Sequence, residues 1–513
     1  MAWLLSINTW LLLALPWLNP FSPGPTPAVM PWLVALASVA LLLLMAALHQ
    51  PRACLAACVA GAWLLAALLS ALIGLLQYFG AAEPLRPWVN STSVGEAFGN
   101  LRQRNQFATL TNIGLAALLW WLARLANPTN AARAVPIKVP SFSSVAAISA
   151  AVLLALGNAA SSSRTGLVQL VLLLAMAWAW RARVGAAGQA SGRAALAPVL
   201  LVAALAYAIG AWALPVLAGL DPQTSGMLAR LHEGDLKCAS RLTLWRNVLH
   251  LIAQKPWLGW GWGELDYAHF ITLYPGERFC EILDNAHNLP LHLAVELGLP
   301  LAALVCGGGL WLAWRAKPWR EADTTRQLAW SVLVLILLHS LLEYPLWYGP
   351  FQIAFGLSLW LLWRAPAVGS EKFTRFSPLA PVWYALTASI LLAVTAYAMW
   401  DYQRVSQIYL APGMRSAAYR DHTLERISDS WLFRDQVRFA ELTTTDLTLE
   451  NAAYLHALAQ AMLHFSPEPR VIEKLVESAT LLGRQDEARF YLARYQAAFP
   501  EAYARWVEDH QLR

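Results

Sequence analysis

Eleven stretches of this chain are long runs of apolar residues, separated by polar segments of very unequal length. The runs lie at about 3–18, 30–48, 54–79, 105–126, 144–160, 165–180, 195–219, 289–314, 328–343, 350–363 and 379–399. A bilayer core demands roughly 20 apolar residues per helical crossing. In lipid a backbone amide has no water to bond, so each run is predicted to be a helix. The pattern therefore predicts an all-α polytopic membrane protein with about eleven transmembrane helices. No Lys or Arg precedes Arg52, so the first run lacks a basic leader and is read as a span.

Two polar segments stand out. The loop from about 220 to 288 is far longer than the usual connection, and long ordered loops tend to carry function. The tail 400–513 holds no span and carries 29 charged residues. The predicted division is a membrane domain at 1–399, including the 220–288 loop, and a helical domain at 400–513. The tail segments NAAYLHALAQAMLHFSPEP and LVESATLLGRQDEARFYLARYQAAFPEAYARW have the spacing of tetratricopeptide-like helical hairpins. A plain helical cap and a protein-docking surface both fit them.

Composition agrees with the pattern. Of 513 residues 58% are hydrophobic and 13% charged, about half the charged share of a soluble protein. The formal net charge of +6 is best read through topology. With the N-terminus inside, the inner loops hold Arg52, Arg124, Arg133, Lys138, Arg181, Arg183, Arg193, Arg315, Lys317, Arg320, Arg326, Arg364, Lys372 and Arg375. They hold only three acids, Glu321, Asp323 and Glu371. This satisfies the positive-inside rule and leaves no case for nucleic-acid binding. The loops 80–104 and 220–288 and the tail then lie outside. Cys54, Cys58 and Cys306 fall in spans. Cys238 and Cys280 share the large outer loop, where a disulfide is permitted if that side is oxidising; two free thiols are the alternative.

Within that loop, RLTLWRNVLHLI places Leu242, Trp245, Leu249 and Ile252 at helical spacing, with Ser240 as N-cap. This predicts an amphipathic helix lying in the interface plane. PWLGWGWGE follows. Its Trp257, Trp260 and Trp262 suit headgroup anchoring, and stacking on a sugar ring is the other reading.

The candidate chemistry gathers on the outer side. Arg presents a planar fork that matches phosphate oxygens. Arg102 and Arg104 stand just before a span in NLRQRNQFA, Arg164 in the short turn SSSRTG, and Arg241 at the head of the loop helix. An Arg at the bilayer edge bears part of an insertion cost, so it usually faces a partner; snorkelling to headgroups is the simpler account. His287, in DNAHN, lies where the chain re-enters the membrane, with Asn288 as helix cap and Pro290 in the first turn. Imidazole titrates near about 6.5 and can accept a proton at neutral pH. His292 is expected to pack, and His250, His269 and His339 are weaker candidates. LLHSLLEYPLWYGPF brings Glu343, Tyr344 and Tyr348 to the outer side, where Glu343 suits pairing with an Arg or simple solvation. No HxxxH, HExxH or CxxC pattern suggests a metal site.

GNLRQRNQFAT (99–109), SSSRTGL (161–167), SRLTLWRNVLHLIAQKPWLGWGWGE (240–264), DNAHNLPLHLAVELG (284–298) and HSLLEYPLWYGPF (339–351) together resemble the O-antigen ligase/polymerase superfamily of membrane glycosyltransferases, over the whole chain. The likeness is strongest to PglL-type bacterial protein O-oligosaccharyltransferases. The resemblance implies a GT-C-like membrane enzyme of the bacterial inner membrane whose site faces the periplasm. It implies transfer of a glycan from undecaprenyl pyrophosphate to Ser or Thr of a periplasmic protein such as a pilin. No cofactor is expected, and the reaction is expected to be inverting and metal-independent. The resemblance maps an essential loop histidine onto His287 and functional arginines onto Arg241 and Arg164. Arg102, Arg104, Asn105, Trp260, Trp262, Asn285, Glu343 and Tyr344 are expected at the substrate, and lipid is a further partner. The rival within the superfamily is a ligase or polymerase acting on lipid A-core or lipid-linked glycan. A transporter would show ionisable residues deep in several spans; here Glu296 is the only acid clearly inside one. A docking scaffold leaves the outer Arg and His residues without a role.

Overall fold

The computed structural model describes residues 2–48, 55–125, 144–184, 190–232, 238–364 and 379–511. Arg52, Cys54, Arg133, Lys138, Glu371, Lys372 and Arg375 lie outside the described residues. Helix is the regular structure of the described residues. In chain order the helices are α1 (Ala2–Leu18), α2 (Val29–Leu48), α3 (Leu55–Tyr78), α4 (Arg104–Leu125), α5 (Ser144–Ala160), α6 (Arg164–Val184) and α7 (Ala190–Leu217). The 220–288 loop contributes α8 (Gly226–His232), α9 (Arg241–Gln254) and α10 (Leu265–Ile271). Then come α11 (Leu289–Leu297), α12 (Leu299–Ala316), α13 (Thr324–Ser340), α14 (Gly349–Arg364) and α15 (Ala380–Ser406).

Each apolar run is thus helical, with one correction. The run predicted as a single span at 289–314 is two helices, α11 and α12, broken at Gly298, whose φ is +85°. Six described segments are long and apolar enough to cross a membrane: Val29–Leu48, Leu55–Tyr78, Arg104–Leu125, Leu196–Leu217, Leu299–Arg320 and Ala380–Tyr409. Ile7–Leu18, Ser144–Ala160 and Gly349–Trp363 are apolar but shorter.

The chain packs as two compact units. The first comprises Met1–Ser22, Pro27–Gly234 and Ala313–Ala396. The second comprises Pro23–Thr26, Asp235–Leu312 and Tyr397–Arg513, so the 235–312 region groups with the tail.

In the first unit α4 is central, packed by α3, α5, α6 and α13. Small residues allow close approach: a Cβ on Gly114 would lie 2.2 Å from that of Ala67 on α3. Buried polar side chains on α4 bond to neighbouring helices, which offsets their cost away from water. The loop 80–104 is clamped from α3 by Gln77. Its Nε2 donates to Asn90 O and Gly99 O, and its Oε1 accepts from the Phe98 and Gly99 amides.

In the second unit α9, α10 and α11 enclose a core that includes Leu244, Val248, Leu251, Leu265, Leu283 and Val295. The tail adds α16 (Thr423–Ile427), α17 (Arg434–Thr444), α18 (Ala452–Met462), α19 (Pro469–Leu481), α20 (Gln485–Ala498) and α21 (Pro500–Gln511), each packed on the next. Loop and tail share one core. Phe270 of α10 is buried among Leu442, Leu455 and Leu475. Arg494 Nε donates to Ile271 O at 2.7 Å, and His464 Nδ1 lies 2.6 Å from Glu264 Oε2. Buried Asp401, near the end of α15, accepts from Arg404, the Ser430 hydroxyl and the Leu432 amide, which bolts the tail to that helix.

Candidate active site

The first unit brings three of the motif segments together. Ser163 Oγ donates to Asn105 Oδ1 at 2.6 Å, and Asn105 Nδ2 donates to Glu343 Oε1 at 3.3 Å. Asn105 therefore joins RQRNQ, SSSRTG and LLEYP by its own side chain. One turn deeper, the Thr109 hydroxyl lies 3.0 Å from Gln169 Oε1 and 2.9 Å from His339 Nδ1, and Gln169 Nε2 donates to Leu335 O. This buried network fixes the ends of α4, α6 and α13. It also makes His339 a packed, hydrogen-bonded side chain. Tyr344 and Tyr348 stack at 6.0 Å.

The candidate arginines occupy a common local position. Arg104, Arg164 and Arg241 are each the first residue of a helix, of α4, α6 and α9. A helix N-terminus carries about half a positive charge and unsatisfied amides, so an Arg there gains nothing from the helix itself. Arg and helix end together make a place suited to an anion. Arg164, exposed, donates from Nε to Arg230 O at 2.7 Å. Arg104 pairs with Glu96 at 3.3 Å. Arg102 stands at φ +60° and donates from Nη2 to Pro20 O at 2.6 Å and to Asn90 Oδ1 at 3.3 Å, so it also ties loop to loop.

The second unit holds Arg241 and His287. Ser240 caps α9, its hydroxyl accepting the Thr243 amide, as the sequence predicts. The apolar residues of α9 divide between two faces. Leu244, Val248, Leu251 and Ile252 are buried, whereas Leu242 and Leu249 are exposed. The predicted stripe mixed two faces because apolar residues occupy both. Trp245 is half-buried, and its indole donates to Ala286 O at 3.1 Å, one residue before His287. Asn247 Nδ2 donates to Glu277 O, and Asn247 Oδ1 accepts the Phe279 amide. Cys238 and Cys280 are disulfide-bonded with Cα atoms 5.3 Å apart. These links bind the start of α9 to the 277–286 segment and hold Arg241 and His287 in one frame.

His287 itself is at φ +49°. A non-glycine residue there costs about 1–3 kcal/mol and persists only where its surroundings enforce it. Enforcement comes from buried Asn285, whose Oδ1 accepts the His287 amide at 2.9 Å, and from Asn288, which caps α11 by accepting the Leu291 amide at 3.1 Å. The half-buried imidazole is within electrostatic reach of the Asp284 carboxyl. One turn into α11, His292 Nε2 lies 3.4 Å from Glu296 Oε2, both buried, and the Trp262 ring stands edge-on to His292 at 6.3 Å. Trp260 is committed to packing: its indole donates to Leu251 O and Lys255 Nζ covers its ring at 4.0 Å. Trp262 is 64% exposed. Asn285 acts here on the backbone, and its side-chain oxygen is taken. The positioning roles of Trp245, Asn247 and Ser163 are not legible in the sequence because they depend on partners 30 or more residues away.

A second polar cluster supports the loop from below. Buried His269 lies between Tyr274 and Phe279 O, so Nε2 donates to the carbonyl at 3.1 Å and Nδ1 accepts the Tyr274 hydroxyl at 2.8 Å. Burial and the nearby Arg278 push its imidazole down to about 3. Burial raises the Asp266 carboxyl to about 7. The signs oppose. His269 is neutral when folded, so its contribution is lost as pH falls from about 6.5 toward 3. Asp266 favours the folded state in acid and weakens it as pH rises from about 4 to 7. Protection factors of the amides across residues 265–283, corrected for the intrinsic pH dependence of exchange, are expected to fall less between pH 7 and 5 in His269→Gln than in the wild type. An equal fall in both would refute the assignment. Among the described residues no group of His, Cys, Asp and Glu is arranged to hold a metal ion.

Comparison with known proteins bears on this arrangement. Residues 97–122 match the protein glycosylation ligase family, 149–306 the O-antigen ligase family, and 327–513 the C-terminal region of virulence factor membrane-bound polymerases. A general O-oligosaccharyltransferase of Acinetobacter baylyi is 25% identical over 311 residues, covering 56% of this chain and 50% of that protein. A ComP-specific O-oligosaccharyltransferase of the same organism is 28% identical over 119 residues, 23% of this chain and 21% of that protein. The chain thus spans about half the length of the first relative and about a fifth of the second. No solved structure matches. The matched segments contain Arg102, Arg104, Arg164, Arg241 and His287, and in them the chain is similar to the O-antigen ligase family, to the protein glycosylation ligase family and to these O-oligosaccharyltransferases.

Proposed function

We propose that this protein transfers a preassembled glycan from undecaprenyl pyrophosphate to a Ser or Thr hydroxyl of a periplasmic acceptor protein, a type IV pilin being the leading candidate. The observation that carries the proposal is the shared frame of Arg241 and His287, built by the Trp245–Ala286 hydrogen bond and the Cys238–Cys280 disulfide. A cation at a helix N-terminus suits pyrophosphate. A histidine forced into a strained backbone beside a carboxylate suits a general base.

The chemistry follows from the two reacting groups. The acceptor hydroxyl is a weak nucleophile until it loses its proton, and His287 takes that proton as the oxygen attacks the anomeric carbon. The bond from that carbon to pyrophosphate breaks, and its electron pair leaves on undecaprenyl pyrophosphate. One displacement inverts the anomeric configuration. Arg241 stabilises the charge growing on the leaving group, and Arg164 is assigned the same duty from the motif that holds it. The Asn105–Glu343 pair and Tyr344 are assigned to substrate positioning. The protein works in the bacterial inner membrane with its site toward the periplasm.

A second reading keeps the donor and changes the acceptor to lipid A-core or a lipid-linked glycan. The matches to O-antigen ligases and membrane-bound polymerases favour it. Co-expression with a defined lipid-linked glycan and candidate pilins, followed by intact-mass measurement, separates the two. A glycan-sized increase on the pilin is expected. Glycan found on lipid A-core alone would favour the ligase and overturn the protein acceptor.

A further inference from the structure

The side of α9 turned away from its core is also apolar. Leu242 and Leu249 are 69% and 54% exposed, and Trp257 and Leu258, just beyond the helix, are 75% and 86% exposed. With exposed Ala253, positions 242, 249 and 253 fall on one helical face about 16 Å long. Leu244, Val248 and Leu251 already fill the core, so that core has no use for this second stripe.

The stripe has a fixed neighbour. Pro256 O accepts the Leu299 amide at 2.8 Å, and a Cβ on Gly298 would lie 2.1 Å from Trp257 O. Trp257 and Leu258 are therefore pinned to the first residue of α12. That helix begins the membrane-length segment Leu299–Arg320 and exposes Leu304, Leu310 and Trp311. The exposed stripe thus adjoins the first residue of a segment long and apolar enough to cross a membrane. Arg246 and Lys255 border it with charge suited to anionic headgroups. Trp260, by contrast, is turned inward and takes no part.

We propose that Leu242, Leu249, Trp257 and Leu258 form a surface that docks on the outer face of the bilayer and holds the loop at headgroup depth. Resting on the reading in Proposed function, this places Arg241, the neighbour of Leu242, at the level of a lipid-linked pyrophosphate.

The test uses the full chain in vesicles of phosphatidylethanolamine and phosphatidylglycerol. Cys54, Cys58 and Cys306 are replaced by Ser, the disulfide is kept, and a nitroxide is placed through L249C, L258C or, as a reference on the exposed tail, L449C. The expected ratio of oxygen to water-soluble nickel collisions at 249 and 258 exceeds that at 449 by about fivefold or more. Ratios equal to that at 449 would overturn the proposal. So would loss of both collision types with label–label broadening, which would mean a second copy covers the face. The depth profile is expected to be unchanged when H287A is added, so this result stands or falls apart from the transferase assignment.

Discussion

Replacing His287 with alanine is expected to abolish glycan transfer while leaving the protein at its normal level in the membrane. General-base catalysis contributes about 10²–10⁴-fold, so residual transfer should be at or below about 1% of wild type. The substitution removes the imidazole without disturbing the frame. The strained φ of +49° is enforced through the backbone, by Asn285 Oδ1 on the residue's own amide and by the Asn288 cap one residue on. Asn285→Ala is therefore the informative partner. It keeps the imidazole and releases the turn, and is expected to lower transfer by a smaller factor, about tenfold, because a misaimed base is less costly than a missing one. Full transfer by H287A, measured by acceptor intact mass with protein level checked by immunoblot, would remove His287 from the mechanism.

Replacing Gly298 with alanine is expected to destabilise the loop more than any single surface change. At φ +85° and ψ 161° the residue is in a region essentially reserved for glycine, which alone costs about 1–3 kcal/mol. The added Cβ would also lie 2.1 Å from Trp257 O, a backbone atom with no room to yield. Relief would break the bonds from the Trp260 amide to Val295 O and from the Leu299 amide to Pro256 O, both 2.8 Å. The combined loss should exceed about 4 kcal/mol, in the range reserved for severe backbone conflicts. Gly263→Ala is the control. Its φ is +76° but nothing lies within 4 Å of the added Cβ, so about 1–2 kcal/mol is expected. Limited proteolysis of the 241–297 region in detergent should separate the two variants clearly. Equal resistance would show that the contact at Gly298 is not tight.

The two predictions also show what could be read from sequence. The apolar runs were legible because lipid imposes one solution, a self-satisfied helix, on any run of that length. The caps at Ser240 and Asn288 were legible because capping is local, spanning three residues. The break at Gly298 was not. Hydropathy is continuous through GLPLAAL, although glycine followed two residues later by proline is a stop-and-start signal for helices. The division of the apolar residues of α9 between a buried and an exposed face was not legible for a related reason. A period of 3.6 shows which residues share a face, and this helix has apolar residues on two.

The sequence by itself determined the helical architecture with its membrane-length apolar segments, the family it resembles, and the short list of candidate Arg and His residues. Each of these follows from composition or from motifs a few residues long. Only the tertiary structure decided that Arg241 and His287 share a frame, through Trp245 and a disulfide spanning 42 residues. It also decided that Asn105 links segments separated by up to 238 positions, and that Phe270 of the 220–288 loop completes the core of the tail. The physical reason is the same in each case. Hydrogen bonds and close packing depend on distance in space, and sequence spacing reports that distance only within a helical turn or two.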